Sequence, residues 1–113
     1  MSPSKPARLP PVTHLQFLVL EFLRNREEPG RTVRDMLRRH GVRRSTPAFY
    51  QLMARLEEMG VVRGEYVPKV VKGQTVKERR YALTPAGARA YNATCAFYRQ
   101  KLESPALDSP QEA

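Results

Sequence analysis

The chain has 113 residues, 41% of them apolar, and a net charge of +9 at neutral pH. That length suits one domain around one modest core. No uninterrupted apolar run reaches the roughly 18 residues of a membrane span, and the opening MSPSKPARLPP lacks the apolar stretch of a secretory signal, so a cytoplasmic location is expected.

Residues 1–11 hold Pro3, Pro6, Pro10 and Pro11 with Lys5 and Arg8. They read as a disordered basic arm. A first helix is expected from about Thr13. Its Leu15, Leu18, Val19, Phe22 and Leu23 follow the spacing of one buried face. Phe17 and Leu20 fall outside that stripe. A helix apolar on two sides must be covered on two sides, by its own domain or by a second subunit. Pro29-Gly30 ends the segment. A short second helix follows, with Thr32 as its expected N-cap, the stripe Val33, Met36 and Leu37, and Gly41 as its stop.

The turn GVRRS leads to a third helix, capped by Ser45 or Thr46, with Pro47 in a first turn that needs no N–H there. Phe49, Leu52, Met53, Leu56 and Met59 form its inner face. Pro47, Tyr50, Gln51, Ala54 and Glu58 lie opposite, and Gly60 stops it. The period then changes. VVRGEYVPKVV is rich in β-branched residues, KGQ is a turn signal, and ERRYALT can pair back. This makes a hairpin over about 61–83, and Pro68 argues for an edge or a bulge. A last helix opens on Thr84-Pro85. Its Tyr91, Cys95, Tyr98 and Leu102 recur at spacings of a coiled-coil seam. The tail after it holds Asp108, Glu112, Pro105 and Pro110 without Lys or Arg, and reads as disordered and acidic over 104–113. The fold class is therefore mainly α with a small antiparallel hairpin, ordered α-α-α-β-β-α, which is the winged helix-turn-helix plan over residues 12–103.

That plan suits double-stranded DNA. A helix fits the major groove and presents its N-terminal residues to base edges, while the hairpin lies over the backbone or the minor groove. The cations sit where this requires. Arg38, Arg39, Arg43 and Arg44 cluster around the turn, and the wing brings Lys69, Lys72, Lys77, Arg79 and Arg80 together with Glu78. Glu57 and Glu58 lie at the far end of the third helix. Lysines also blunt exposed sheet edges, so no one cation decides the matter. Their coincidence on one side of the fold is what carries the reading.

STPAFYQLMARLEEMGVV, a basic hairpin and RRYALTPAGARAY together resemble the PadR family of bacterial transcriptional regulators, with the MarR type as a near relative. Tyr50, Leu52, Leu56, Glu57, Glu58, Gly60 and Val61 fit the family's third helix and its exit. Tyr81, Leu83, Thr84 and Gly87 fit its wing close. The helix exit and wing close are widespread among winged helices, and Tyr50 tilts the match towards PadR. The resemblance covers roughly 13–100 and implies a homodimeric repressor that reads an inverted repeat. It implies DNA contact for Ser45, Thr46, Tyr50 and Gln51. Adding the neighbouring positions gives Arg43, Arg44, Pro47 and Arg55, with Lys69, Lys72, Lys77, Arg79 and Arg80 from the wing. Dimerisation falls to Tyr91, Cys95, Tyr98 and Leu102, with Phe17 and Leu20 contributing. The chain departs from the family at Pro29-Gly30-Arg31-Thr32, where an aromatic Gly-Tyr pair is usual, and in its short C-terminal region.

Other function classes find little support. Cys95 is alone, and His14 and His40 have no spaced partner, so no metal or cofactor is expected. No catalytic triad, carboxylate pair or phosphate-binding glycine loop marks an enzyme. No helix has the cationic amphipathic pattern of a membrane surface binder. Phe97 and Tyr98 could line a pocket for a small-molecule effector, but helix packing is the simpler reading, so no effector is indicated. The rivals are a winged helix that docks protein, or one that binds RNA or a replication origin. Replacing Arg79 and Arg80 is expected to flatten the salt dependence of DNA binding.

Overall fold

The computed structural model describes residues 8–103. The start of the expected basic arm and the expected acidic tail lie outside the described residues. The elements are α1 (His14–Phe22), β1 (Glu27–Pro29), α2 (Gly30–Arg39), α3 (Thr46–Glu58), β2 (Val62–Val71), β3 (Gln74–Leu83) and α4 (Pro85–Glu103). This is the expected order with one addition, β1.

Local chemistry explains most boundaries. The Thr13 hydroxyl accepts from the Gln16 N–H at 3.1 Å, and Gln16 Oε1 accepts from the Thr13 N–H at 3.0 Å. This reciprocal box satisfies two donors at the start of α1. Ser45 caps α3, accepting from the Ala48 N–H at 3.3 Å. Gly41 and Gly60 follow α2 and α3 at φ +79° and +77°, a region open to glycine without strain. The expected Thr32 cap is corrected. The cap of α2 is Pro29, and no side chain bonds there. Pairing of β1 delivers the chain to the helix at Pro29, so the helix begins where the strand ends. Gly30 lets the backbone approach the Tyr81 and Phe49 rings, since a Cβ there would stand 3.3 and 3.5 Å from them.

The sheet has the order β1-β3-β2, antiparallel throughout. Glu27 to Pro29 pair with Ala82 to Arg80, and Val62 to Val71 pair with Leu83 to Gln74. Two residues, Lys72 and Gly73, close the hairpin at φ 51° and 78°. Positive φ at both positions is the tight hairpin turn whose twist matches the strands. Pro68 lies on β2, which is an edge strand, so its missing N–H breaks no ladder.

The core gathers Val19, Leu20, Phe22 and Leu23 of α1, Val33 and Leu37 of α2, and Phe49, Met53 and Leu56 of α3. Val61, Val62, Tyr81 and Tyr91 complete it. Two residues expected at a dimer surface belong here instead. Leu20 is 0% exposed within the protomer, because α1 is flanked by both α2 and α4. Tyr91 is buried as well. Its ring stacks on Phe17 at 5.0 Å, and its hydroxyl accepts from Arg24 at 2.6 Å. The second apolar side of α1 is thus covered largely by its own domain. Further along α4, Thr94 is buried and satisfies its hydroxyl on the Ala90 carbonyl at 2.7 Å. Cys95 is half-buried, while Tyr98 and Leu102 are 50% and 86% exposed.

Candidate nucleic-acid interface

The inner face of α3 buries Phe49, Met53 and Leu56, which turns Thr46, Pro47, Tyr50, Gln51, Ala54 and Arg55 to solvent. Tyr50 is 49% exposed, and its ring meets Phe49 edge-on at 5.5 Å. It therefore stands on the core and points outward. Arg55 is exposed and lies 3.6 Å from Glu58, an open i,i+3 pair that adds little stability. Arg43 and Arg44 flank the start of the helix, both exposed.

A residue not picked out from the sequence organises this end. Arg34 of α2 donates to the Thr46 hydroxyl and to the Arg44 carbonyl, each at 3.1 Å. Its guanidinium also lies 5.6 Å from the centre of the Phe49 ring. It ties the turn and the first residue of α3 to the preceding helix. The available signal was its place next to the buried Val33, on the side of α2 that faces α3.

The wing divides its cations into two sets. Arg79 and Arg80, expected to meet phosphate, turn to carboxylates of the same chain. Arg79 Nη2 lies 2.7 Å from Glu57 Oε1. Arg80 meets Glu27 and Glu78, each at 2.9 Å. Lys69 is 3.0 Å from Glu78, and Arg31 is 3.7 Å from it. The physical reason is register. Arg80 sits opposite Glu65 and Pro29 on the central strand, so its side chain is surrounded by the β1 and β3 acids. Lys72 and Lys77, further out, are exposed and, with Arg43 and Arg44, have no ion-pair partner among the described residues. Between them the outer wing exposes Val70, Val71 and Val76.

The Lys69 hydrogen bond, with Arg80 beside it, holds the Glu78 carboxyl below the usual carboxylate range. A carboxyl whose value is lowered on folding stabilises the fold above its unfolded value. That contribution is lost as pH falls through the folded value. The base of the wing is therefore expected to stay intact through the ordinary glutamate range near pH ~4.3 and to loosen only below it. The midpoint of the Glu78 carboxyl carbon, followed by NMR, should lie below that of an exposed glutamate. A midpoint at or above it would mean that the cluster does not form.

These features define a winged helix-turn-helix protein with a bare, cation-flanked third helix. Comparison with solved structures places the fold among PadR-like winged helices. A PadR family transcription regulator from hypervirulent Clostridium difficile superposes with a TM-score of 0.68 at 15% identity, over 80% of this chain and 93% of that one. A PadR family transcriptional regulator from Eggerthella lenta gives 0.54 at 26% identity, over 80% and 83%. Bacillus subtilis PadR in complex with operator DNA gives 0.57 at 14% identity, over 82% of this chain and 49% of that one. No protein-family model and no curated protein sequence matches the chain.

Proposed function

We propose that this protein is a transcription regulator that binds double-stranded DNA by sequence, acting in the cytoplasm as a dimeric repressor on an inverted repeat. The observation that carries the reading is the composition of one face. Ser45, Thr46, Pro47, Tyr50 and Gln51 are exposed at the leading end of α3 next to the exposed Arg43 and Arg44, the outer wing exposes Lys72 and Lys77, and none of these four cations has an ion-pair partner among the described residues. Such a helix enters the major groove, where its leading side chains reach base edges while the flanking cations meet phosphate. The PadR-like neighbours support this, since they are transcription regulators and one is held on operator DNA. A protein-docking winged helix has no need of exposed Arg43, Arg44, Lys72 and Lys77 around that helix.

The dimer contact falls at the end of α4, where Tyr98 and Leu102 are exposed and Phe97 packs edge-on against Tyr98 at 5.0 Å. A symmetric pair formed there would present two third helices, and two-fold symmetry in the protein calls for two-fold symmetry in the site. Selection of bound duplexes from a random pool tests the whole reading. An inverted repeat is expected, together with a dimer by light scattering. Recovery of no sequence above background would sink the DNA-reading role, and a monomer at high micromolar concentration would sink the dimer.

A further inference from the structure

Arg79 stands in the wing, yet it points back at α3. Its Nη2 lies 2.7 Å from Glu57 Oε1, and among the described residues this is the one ion pair that joins α3 to the hairpin. The guanidinium lies 4.7 Å from the centre of the Tyr66 ring and 5.8 Å from that of Tyr81. The space it occupies is made by a missing side chain. A Cβ on Gly64, which pairs with Tyr81, would stand 2.8 Å from Arg79 Nη2 and 3.0 Å from both Glu57 Oε1 and Tyr81 Cε1. Burial alone would pull the arginine's pKa down, but the Glu57 charge and the Tyr81 hydroxyl outweigh it, so the group stays cationic.

We propose that Arg79 and Glu57 form a strut that fixes the angle between the wing and the recognition helix, which makes Arg79 a positioning residue and not a phosphate contact. The inference rests on the DNA-reading role proposed above. Leverage explains why such a strut matters. Five residues lie on each strand between the Tyr66–Arg79 pair and the turn, so six steps of about 3.3 Å put the tip roughly 20 Å beyond the strut. A swing of about 10° at that point moves the tip by roughly 3.5 Å, which is more than the length of a hydrogen bond. Free to swing, the wing and α3 would meet the same site in register only part of the time.

Signs separate this from a direct contact. Glu57→Gln removes a negative charge beside the DNA face, so simple electrostatics has it strengthen binding. The strut has it weaken binding. We expect Glu57→Gln and Arg79→Met each to lower affinity for the selected duplex roughly tenfold, the scale on which coupled elements act. Affinity for a random-sequence duplex should change little. The double variant should resemble either single one, and the salt slope should stay that of the unmodified protein. Binding is compared at a temperature where circular dichroism shows every variant folded. If Glu57→Gln binds as tightly as the unmodified protein while Arg79→Met lowers the slope by about 0.9 per site, Arg79 touches phosphate and the strut is overturned. A DNA-free measurement keeps the two ideas distinct. In the unmodified protein, residual dipolar couplings of amides 66–79 and 46–58 should fit one common alignment, and in either variant the wing couplings should shrink. If selection recovers no duplex, the proposed function fails and the couplings alone decide the strut: equal couplings in all the proteins would overturn it.

Discussion

Replacing Gly87 with Ala is expected to destabilise the protein by about 3 kcal/mol, enough to lower the melting temperature of a domain this size by roughly 12–24 °C. Two effects oppose each other. Gly87 is the third residue of α4, and exchanging a helical glycine for alanine ordinarily gains about 1 kcal/mol. Against that, the new Cβ would run into the Val61 carbonyl oxygen, with the Val61 carbon at 2.9 Å and Leu83 Cδ2 at 3.1 Å. The carbonyl has little freedom to yield. It accepts from the Thr84 N–H at 3.2 Å, while the Val61 N–H donates to the Leu56 carbonyl, also at 3.2 Å. The Thr84 hydroxyl donates to the Gly60 carbonyl at 2.6 Å and accepts from the Gly87 N–H at 2.9 Å. The exit of α3 and the start of α4 are thus clamped, and the clash has to be relieved by moving the whole of α4. Because native stability is itself only about 5–15 kcal/mol, the loss is a large fraction of it. Thermal unfolding by circular dichroism checks this, and an unchanged midpoint would mean that α4 and Val61 are not held so closely.

The Thr-Pro-x-Gly stretch at residues 84–87 shows why so much of this fold could be read from the chain. Its glycine answers to the distant Val61 carbonyl, but its cap and its proline each have a local reason, and those reasons agree with one another. The caps at Thr13 and Ser45, the stops at Gly41 and Gly60, and the turn at Lys72-Gly73 share that property. What could not be read is what depends on distant partners. The strand β1 is three residues ending in proline, too short for any periodicity, and it exists because Glu27 to Pro29 meet Ala82 to Arg80 more than fifty positions later. Its pairing also moved the start of α2 forward from the expected Thr32.

The site shows the same division. The outward face of α3 follows from helical period and was legible. The fate of each wing cation depends on which carboxylate the register brings beside it, and that is invisible in a charge count. Arg79 and Arg80 are neighbours with the same side chain, yet one meets Glu57 on α3 and the other meets Glu27 and Glu78 in the sheet. Leu20 and Tyr91 repeat the lesson for apolar residues. Surplus apolar surface on a helix signals a cover, and here α4 supplies it from within the protomer.

Replacing Arg43, Arg44, Lys72 and Lys77 together with Ala is expected to weaken binding to all duplexes by roughly a thousandfold near 0.1 M salt, and to make the salt dependence markedly shallower. These four are exposed and without an ion-pair partner among the described residues, so nothing in the protein competes with phosphate for them. Each phosphate neutralised contributes about 0.9 to the slope of log affinity against log salt, and a dimer would lose the four contacts twice. Arg80 and Lys69 are the contrasting case. They already neutralise Glu78, and Arg80 also meets Glu27. Turning to DNA would require them to abandon those carboxylates, which returns most of the gain. The matching Lys69→Ala, Arg80→Ala pair should therefore leave the slope nearly unchanged. Stability also separates the two sets. Exposed, unpaired side chains cost less than about 0.5 kcal/mol to remove, so the fourfold variant should melt close to the unmodified protein. Loss of Arg80 with Lys69 leaves Glu27 without an ion-pair partner among the described residues and Glu78 with Arg31 alone, and should loosen the base of the wing. Salt titrations of duplex binding measure the slopes. A fourfold variant that kept the original slope would show that the turn and the wing tip do not reach the phosphate backbone.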